Sequence, residues 1–246
     1  MIVTIQSQTL TVDIDSLGAQ LASIRTKDGE EYLWQGDPDI WARRAPILFP
    51  FIGRLKDGRY LLNGSPYTIS THGFARDMEF EVVERAEDTV SFQLTDTPQT
   101  QAVYPFAFTL TVTYSLKDNV LTKTHRVLNR SSVELLYELG AHDGFRVPVG
   151  EGLTMADYSI RLPGLEKVCF YGMDENLMLT PKGAEITLEN AALPLTPASF
   201  GLDTMILDPP IQAQAVLCDR AGRPRVTLDF PDFPYLGIWT QGKPFD

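Results

Sequence analysis

Two histidines give the clearest indication of chemistry in the 246 residues. His72 lies in Thr71-His72-Gly73-Phe74 and His142 in Gly140-Ala141-His142-Asp143-Gly144-Phe145, so turn residues interrupt the strand pattern at both places. Such a histidine can sit at a strand end with its imidazole facing a cleft, where a pKa of about 6.5 lets it give or take a proton near neutral pH. Taken alone, each also fits a hydrogen-bonded or solvent-facing side chain. The third histidine, His125, lies inside an alternating stretch and has no such context.

A rigid aromatic segment ends in a further candidate, Arg54. Residues 41–54 begin at a tryptophan, contain two prolines and end in Gly53-Arg54. In a functional interpretation, this segment forms a wall of a ligand site, and the Arg54 guanidinium offers several donors to hydroxyl groups. The alternative is a buried crossover with Arg54 in a surface ion pair.

Alternation of apolar and polar residues indicates the elements that must position these side chains. The clearest case runs from Phe106 to Leu116, where every second residue is large and apolar, as in a strand that covers a core on one face. Shorter runs of the same kind predict further strands at 10–14, 90–94, 133–139, 184–188, 215–219, 226–230 and 235–239.

Long helices are not expected, because 17 prolines and 18 glycines punctuate the chain and no long apolar stripe has helical spacing. One short helical turn is predicted between Asp37 and Arg43, with Pro38 at its first position. No repeat or flexible linker marks a boundary. The sequence therefore predicts an all-β protein, a large antiparallel β-sandwich formed as a single domain over residues 1–246.

Charge and composition exclude several functional classes. The net charge of −11 opposes a nucleic acid partner. The longest apolar run, residues 45–53, is broken by prolines and too short to cross a bilayer, and the first residues do not resemble a secretory signal. Cys169 and Cys218 have apolar neighbours and are expected to be free thiols, which fits a reducing cytoplasm. The oligomeric state cannot be read from these features.

The ordered set of motifs resembles the aldose 1-epimerase (galactose mutarotase) family, nearest to its LacX-like branch. The resemblance runs from about Gly18 to the C-terminus and rests on Tyr32-Leu33-Trp34, Ile52-Gly53-Arg54, His72-Gly73-Phe74-Ala75-Arg76, Tyr104-Pro105-Phe106 and Gly140-Ala141-His142. It implies a large antiparallel β-supersandwich that interconverts the α and β anomers of a free sugar without a metal or an organic cofactor.

The resemblance also implies roles for four residues. His142 matches the general acid at the ring oxygen, and His72 matches the second histidine, which holds and polarises the same region. Arg54 matches the arginine that binds sugar hydroxyls. Asp203 lies where the family often has a hydroxyl-binding aspartate, and it equally fits a turn cap before the next strand.

Two departures from the family pattern bear on these roles. The acid histidine is usually followed by proline, whereas Asp143 follows His142 here. The family's general base is a glutamate in a Glu-Pro motif beyond a Lys-Pro connection, and no candidate for it follows Lys243-Pro244 within the 246 residues. We therefore expect the base and the last strands of the sandwich on a segment beyond Asp246; a chain that ends there would bind sugar without its base.

Two other functions remain open. A hexose-6-phosphate 1-epimerase would need an anion site, for which Arg43, Arg44 and Arg76 are candidates if their side chains converge. A non-catalytic carbohydrate-binding sandwich would use stacking aromatics such as Trp34, Trp41 and Trp239, although core positions suit Trp34 and Trp239 as well.

Overall fold

The structure is a computed structural model of the chain and describes residues 1–149, 152–176, 178–181, 184–200, 204–207 and 212–240. It divides into two compact units, Met1–Arg146 and Val147–Asp246. The histidines lie in the first unit. The expectation of one domain over residues 1–246, lacking its final strands, stays a prediction.

The first unit, which the structure describes throughout, is built from antiparallel sheets and one short helix. Its elements are β1 (Ile2–Gln6), β2 (Leu10–Asp15), β3 (Gln20–Thr26), β4 (Ile47–Leu48), β5 (Arg59–Leu62), β6 (Ser65–Thr68), β7 (Glu81–Arg85), β8 (Thr89–Thr95), α1 (Pro98–Val103), β9 (Phe108–Lys117), β10 (Val120–Asn129) and β11 (Gly140–Ala141). The sheet orders are β1-β2-β3, β10-β9-β8-β7, β11-β4 and β5-β6. Single 3-10 turns lie at Lys56–Gly58 and Ala75–Asp77.

Strand β9 confirms the clearest alternation in the sequence. Its neighbours in the sheet are β8 and β10, with Val112 opposite both Phe92 and His125. The alternating apolar positions, Phe106, Phe108, Leu110, Val112, Tyr114 and Leu116, are all buried and belong to one hydrophobic core. That core anchors the segments that carry the histidines, because Ile47 and Phe49 are fully buried in it.

The strand predicted at Val133–Leu139 is wrong. This segment has no regular secondary structure, and its half-buried apolar residues, Leu135 and Leu139, lie four apart rather than two. Its polar contacts are scattered. The Tyr104 hydroxyl donates to the Leu136 carbonyl at 2.7 Å. The Glu138 amide donates to the carbonyl of residue 50, and the Glu138 carboxylate accepts from the amide of residue 52. These contacts fix the segment without the continuous ladder that a strand requires.

The second unit contains the remaining strands that the structure describes. They are β12 (Tyr158–Arg161), β13 (Lys167–Tyr171), β14 (Ala184–Thr187), β15 (Ala192–Pro194), β16 (Met205–Leu207), β17 (Gln214–Asp219), β18 (Pro224–Asp229) and β19 (Leu236–Ile238). The sheet orders are β15-β12-β17-β18 and β14-β13-β16-β19, again antiparallel. The strands predicted near 184, 215, 226 and 235 are confirmed. Cys169 in β13 and Cys218 in β17 are free thiols, as expected.

Helix is confined to short pieces in the part of the chain that the structure describes. Helix α1 begins after a Thr97 capping box, with Pro98 in its first turn. The turn predicted after Asp37 is present, because the Asp37 carbonyl accepts from the Ile40 and Trp41 amides. None of the helices among these residues has the length and apolar character needed to cross a membrane. The all-β prediction is confirmed.

Candidate functional site

His72 is held in an unusual backbone conformation by bonds to a distant peptide. Its φ is +66°, in the left-handed region, and Gly73 follows with φ +72°. The His72 amide donates to the Gly53 carbonyl at 2.8 Å, while the Gly53 amide donates to Nδ1 of the His72 ring at 3.0 Å. Because Nδ1 accepts a hydrogen bond, the proton of the neutral ring is on Nε2. The site therefore presents His72 as a neutral donor.

Gly73 permits this arrangement by letting two segments of backbone touch. A Cβ at position 73 would lie 2.1 Å from the Phe49 carbonyl oxygen, which also accepts from the Phe74 and Ala75 amides at 3.0 and 3.2 Å. Phe49 and Gly73 form a parallel bridge. A side chain at position 73 would therefore separate the His72 segment from the core.

We expect Gly73→Ala to lower the free energy of unfolding by about 2 kcal/mol or more, because it adds a backbone clash to the cost of a positive φ. The matched control is Gly64→Ala, in the β5–β6 turn, where φ is +80° and no atom lies within 4 Å of the added Cβ. Urea unfolding of both variants measures the difference. Equal losses would show that the contact with Phe49 is unimportant.

His142 follows β11 and is positioned by the proline-rich segment. Gly140 and Ala141 pair with Leu48 and Ile47, and the His142 amide then donates to the Pro46 carbonyl at 3.1 Å. The Trp41 ring lies beside the imidazole, with 5.0 Å between ring centroids and 33° between planes. The sequence singled out Trp41 only as an aromatic side chain; its place against His142 depends on a contact across about a hundred residues of sequence.

The structure brings the two histidines together. Their ring centroids are 6.0 Å apart and the planes are perpendicular, at 88°. Burial lowers the pKa of His72 to about 4, and the nearby Arg76, His142 and Arg43 contribute to the shift. Burial also lowers the pKa of His142. A backbone hydrogen bond and Asp143 oppose this shift, and Arg76 reinforces it. His72 is therefore neutral at pH 7, and burial favours the neutral form of His142 as well.

Two of the three arginines considered for an anion site converge. Arg43 bonds Asp77 Oδ1 at 2.9 Å, and Arg76 lies 3.6 Å from Asp77 Oδ2 while donating to the Thr71 carbonyl at 2.7 Å. The Arg76 atom that faces Asp77 is its buried Nε. Arg44, by contrast, donates to backbone carbonyls at 22 and 35, which gives it a structural role. The cluster beside His72 is therefore cationic.

Arg54 lies next to the peptide that binds His72. Its side chain is exposed, and no hydrogen bond or ion pair holds it within the first unit. Within the first unit, its donors are therefore available. The sequence marks Gly53 only as a turn glycine before an arginine and does not predict its hydrogen bond to the His72 ring. Asp203 lies outside the described residues.

No metal centre accompanies these side chains in the described ranges. Nowhere among those residues do three His, Cys, Asp or Glu side chains come together in a group that could hold a metal ion. The two imidazoles and the guanidinium groups can transfer protons and donate hydrogen bonds to oxygen atoms.

Comparison with known proteins places the chain in a family. The model of the aldose 1-epimerase family matches residues 1–245. The plasmid LacX protein of Lactococcus lactis subsp. lactis is 33% identical over 255 aligned residues, which cover 100% of this chain and 85% of LacX. The chromosomal LacX protein of the same organism is also 33% identical.

Solved structures agree in fold. A galactose mutarotase related enzyme from Lactobacillus acidophilus superposes with a TM-score of 0.89 at 30% identity, covering 98% of this chain and 81% of that enzyme. A galactose mutarotase-like protein from Lactobacillus casei gives a TM-score of 0.88 at 34% identity, covering 98% of this chain and 83% of that protein. These matches confirm the resemblance noted in the motifs. The chain belongs to the aldose 1-epimerase family.

Proposed function

We propose that the chain interconverts the α and β anomers of a free hexose by opening and reclosing the sugar ring. The observation that carries this proposal is the pair of imidazoles, whose ring centroids are 6.0 Å apart. Opening a hemiacetal requires an acid at the ring oxygen and a base at the O1 hydroxyl, so two proton-transferring groups must reach one ring.

In the proposed reaction, His142 in its protonated form gives a proton to the ring oxygen. The bond between C1 and the ring oxygen breaks, and the O1 proton leaves as the C1–O1 carbonyl forms. His72 donates a hydrogen bond from Nε2 to the same region and stabilises the charge that develops there. Rotation about C1–C2 and the reverse proton transfers close the ring on its other face.

The base that takes the O1 proton is not supplied by the carboxylates beside these histidines. Asp77 is engaged by Arg43, and Asp143 is engaged by Lys123 at 2.5 Å. Both carboxylates are therefore already bonded to cations. The glutamate that the family places after a Lys-Pro connection remains our proposal for this role.

Polarimetry on freshly dissolved α-D-galactose and α-D-glucose tests the proposed function. The full-length protein, with the segment that we propose supplies the base, should accelerate the approach to the anomeric equilibrium beyond the buffer rate. If several hexoses and pentoses show no acceleration, the proposal is wrong. Calorimetric binding of a sugar without any acceleration would instead identify a carbohydrate-binding sandwich.

Arg54 gives a prediction about substrate binding. We expect Arg54→Gln to raise KM about 10-fold to 100-fold with little change in kcat, because hydrogen bonds from a charged donor are worth about 1.5 to 3 kcal/mol. Arg54→Lys is the matched variant. Its KM should lie between those of the wild type and Arg54→Gln, since lysine keeps the charge but loses the planar array of donors. Steady-state polarimetry measures both. An unchanged KM in Arg54→Gln would exclude this side chain from the binding site.

The pH profile tests the role of His142 as an acid. Because burial lowers the pKa of His142, the protonated acid becomes scarce as the pH rises, and the alkaline limb of kcat/KM should have its midpoint below pH 6.5. Above that midpoint we expect a loss of about tenfold per pH unit. A profile that is flat or rising between pH 6 and pH 8 would contradict this assignment.

A phosphorylated sugar is the second candidate substrate, supported by one observation. Arg43 and Arg76 lie near His72, and both guanidinium groups converge on Asp77. Two guanidinium groups close together could bind a phosphate group. Comparing kcat/KM for glucose 6-phosphate and glucose separates the two candidate substrates. A preference for glucose 6-phosphate that disappears in Arg76→Gln would favour the phosphorylated substrate. A kcat/KM for glucose that is equal or higher would exclude the phosphorylated substrate.

A further inference from the structure

A buried ion pair lies directly behind His142. Lys123 Nζ, from β10, is 2.5 Å from Oδ1 of Asp143, the residue that follows His142. Only 11% of the lysine side chain and 14% of the aspartate side chain are exposed. Both charged groups are therefore mostly shielded from water.

The Asp143 carboxylate and the His142 imidazole belong to consecutive residues of one segment. His142 contacts Trp41 on the side of the proline-rich segment, while Asp143 is directed to Lys123 on the inner face of β10. The backbone around them is fixed at its edges, because the Gly144 amide donates to the Arg44 carbonyl at 2.8 Å. The side-chain bond from Asp143 adds an anchor on the opposite face from the imidazole.

Stability alone gives a poor account of this pair. Burying two charges costs several kcal/mol per ion, and apolar replacements of similar volume are often neutral or stabilising. The Lys123 ammonium lies 5.9 Å from the centre of the buried Tyr114 ring, and this cation–π contact offsets only part of that cost. A role connected with the adjacent His142 accounts for the charges better.

We propose that Lys123 is a positioning residue: its ion pair with Asp143 holds the His142 imidazole against Trp41 and His72 in the orientation that anomer exchange requires. The catalytic part of this inference rests on the proposed function. The pair would also set the local field. Asp143 favours protonation of His142, and Lys123 moderates that effect by neutralising the carboxylate.

The field at His142 has several sources that the test must separate. From the segment around residues 71–77, Arg76 opposes protonation of His142 and His72 lies against the ring; from its own segment, Asp143 favours protonation. Behind the pair, on the inner face of β10, lies His125, whose pKa burial and Lys123 lower to about 4. His125 is therefore neutral near pH 7, and Lys123 is the cation bonded to Asp143.

Four variants of the full chain test the inference: Lys123→Met, Asp143→Asn, the double variant, and the conservative Lys123→Arg. The first readout is the NMR titration of the His142 imidazole, which needs no activity. We expect Asp143→Asn to lower the pKa of His142 by about 0.5 to 1 and Lys123→Met to raise it by a similar amount. The double variant should fall between them.

The second readout is kinetic. In Lys123→Met the kcat measured at the plateau of the pH profile should fall about tenfold, with KM changed less than about threefold, because the acid is misplaced while Arg54 still binds sugar. Lys123→Arg should retain most of kcat. The control is Lys167→Met, which breaks an exposed pair with Glu185 and should leave the His142 titration unchanged.

The outcomes distinguish the two hypotheses. Wild-type chain without exchange activity would overturn the proposed function, and the titration would still test the pair. Folded single variants that leave the His142 titration unchanged, or shift it in the same direction, would overturn the inference. If Lys123→Met fails to fold, Asp143→Asn and the double variant, in which no charge is left unpaired at position 143, give the same test.

Discussion

Replacing His142 with glutamine is expected to lower kcat for anomer exchange by about 100-fold to 10,000-fold, the range for removal of a general acid. Glutamine is close to histidine in size and keeps a hydrogen-bonding group beside Trp41, but it has no proton to exchange near neutral pH. KM should change little, because Arg54 is left in place. Steady-state polarimetry with a saturating hexose measures the loss.

The His142→Gln result needs a test of folding beside it. Thermal unfolding of the variant should begin within a few degrees of the wild type, because the backbone bond from residue 142 to the Pro46 carbonyl is kept. Retention of more than a tenth of wild-type kcat by the folded variant would exclude His142 as the acid.

His72→Asn is expected to lower kcat about 100-fold while preserving the fold, a loss typical of removing one donor to a developing charge. Asparagine tolerates the left-handed backbone at position 72, where φ is +66°. Its side-chain oxygen can still accept from the Gly53 amide, as Nδ1 does in the native ring. What the variant loses is the donor at Nε2.

His72→Ala is the matched comparison, because alanine loses both the donor and the acceptor for Gly53. We expect it to reduce kcat at least as much and, in addition, to lower the free energy of unfolding by about 1 to 3 kcal/mol, through the unpaired Gly53 amide and the positive φ. If His72→Asn matches wild-type kcat, the donor from His72 is not used in the reaction.

The elements of the fold could be predicted because they depend on local alternation. Strand β9 confirms the run from Phe106 to Leu116, and its buried face follows the apolar residues. The failure at Val133–Leu139 has the opposite cause. Its apolar content is high, but its hydrogen-bond partners are the Tyr104 hydroxyl and residues 50 and 52. Local sequence patterns do not predict contacts of this kind.

The same distinction applies to the site. His72 and His142 could be identified from the turn residues around them and from the family motifs, and the structure places their rings together. The bond that orients His72 comes from Gly53, and the anchor behind His142 comes from Lys123, 20 residues away on another strand. Side-chain contacts of this kind depend on tertiary packing, so the sequence alone predicts neither.

Exchange NMR on a hexose at anomeric equilibrium tests the central claim most directly, because it measures the rate at which each anomer converts into the other. With the wild-type chain, magnetisation should transfer between the two C1 protons faster than in buffer. His142→Gln and His72→Asn should each return the transfer rate close to the buffer value. Two results would contradict the assignment of anomer exchange to these two histidines. One is transfer with the wild type that is no faster than in buffer, and the other is transfer with both variants that is as fast as with the wild type.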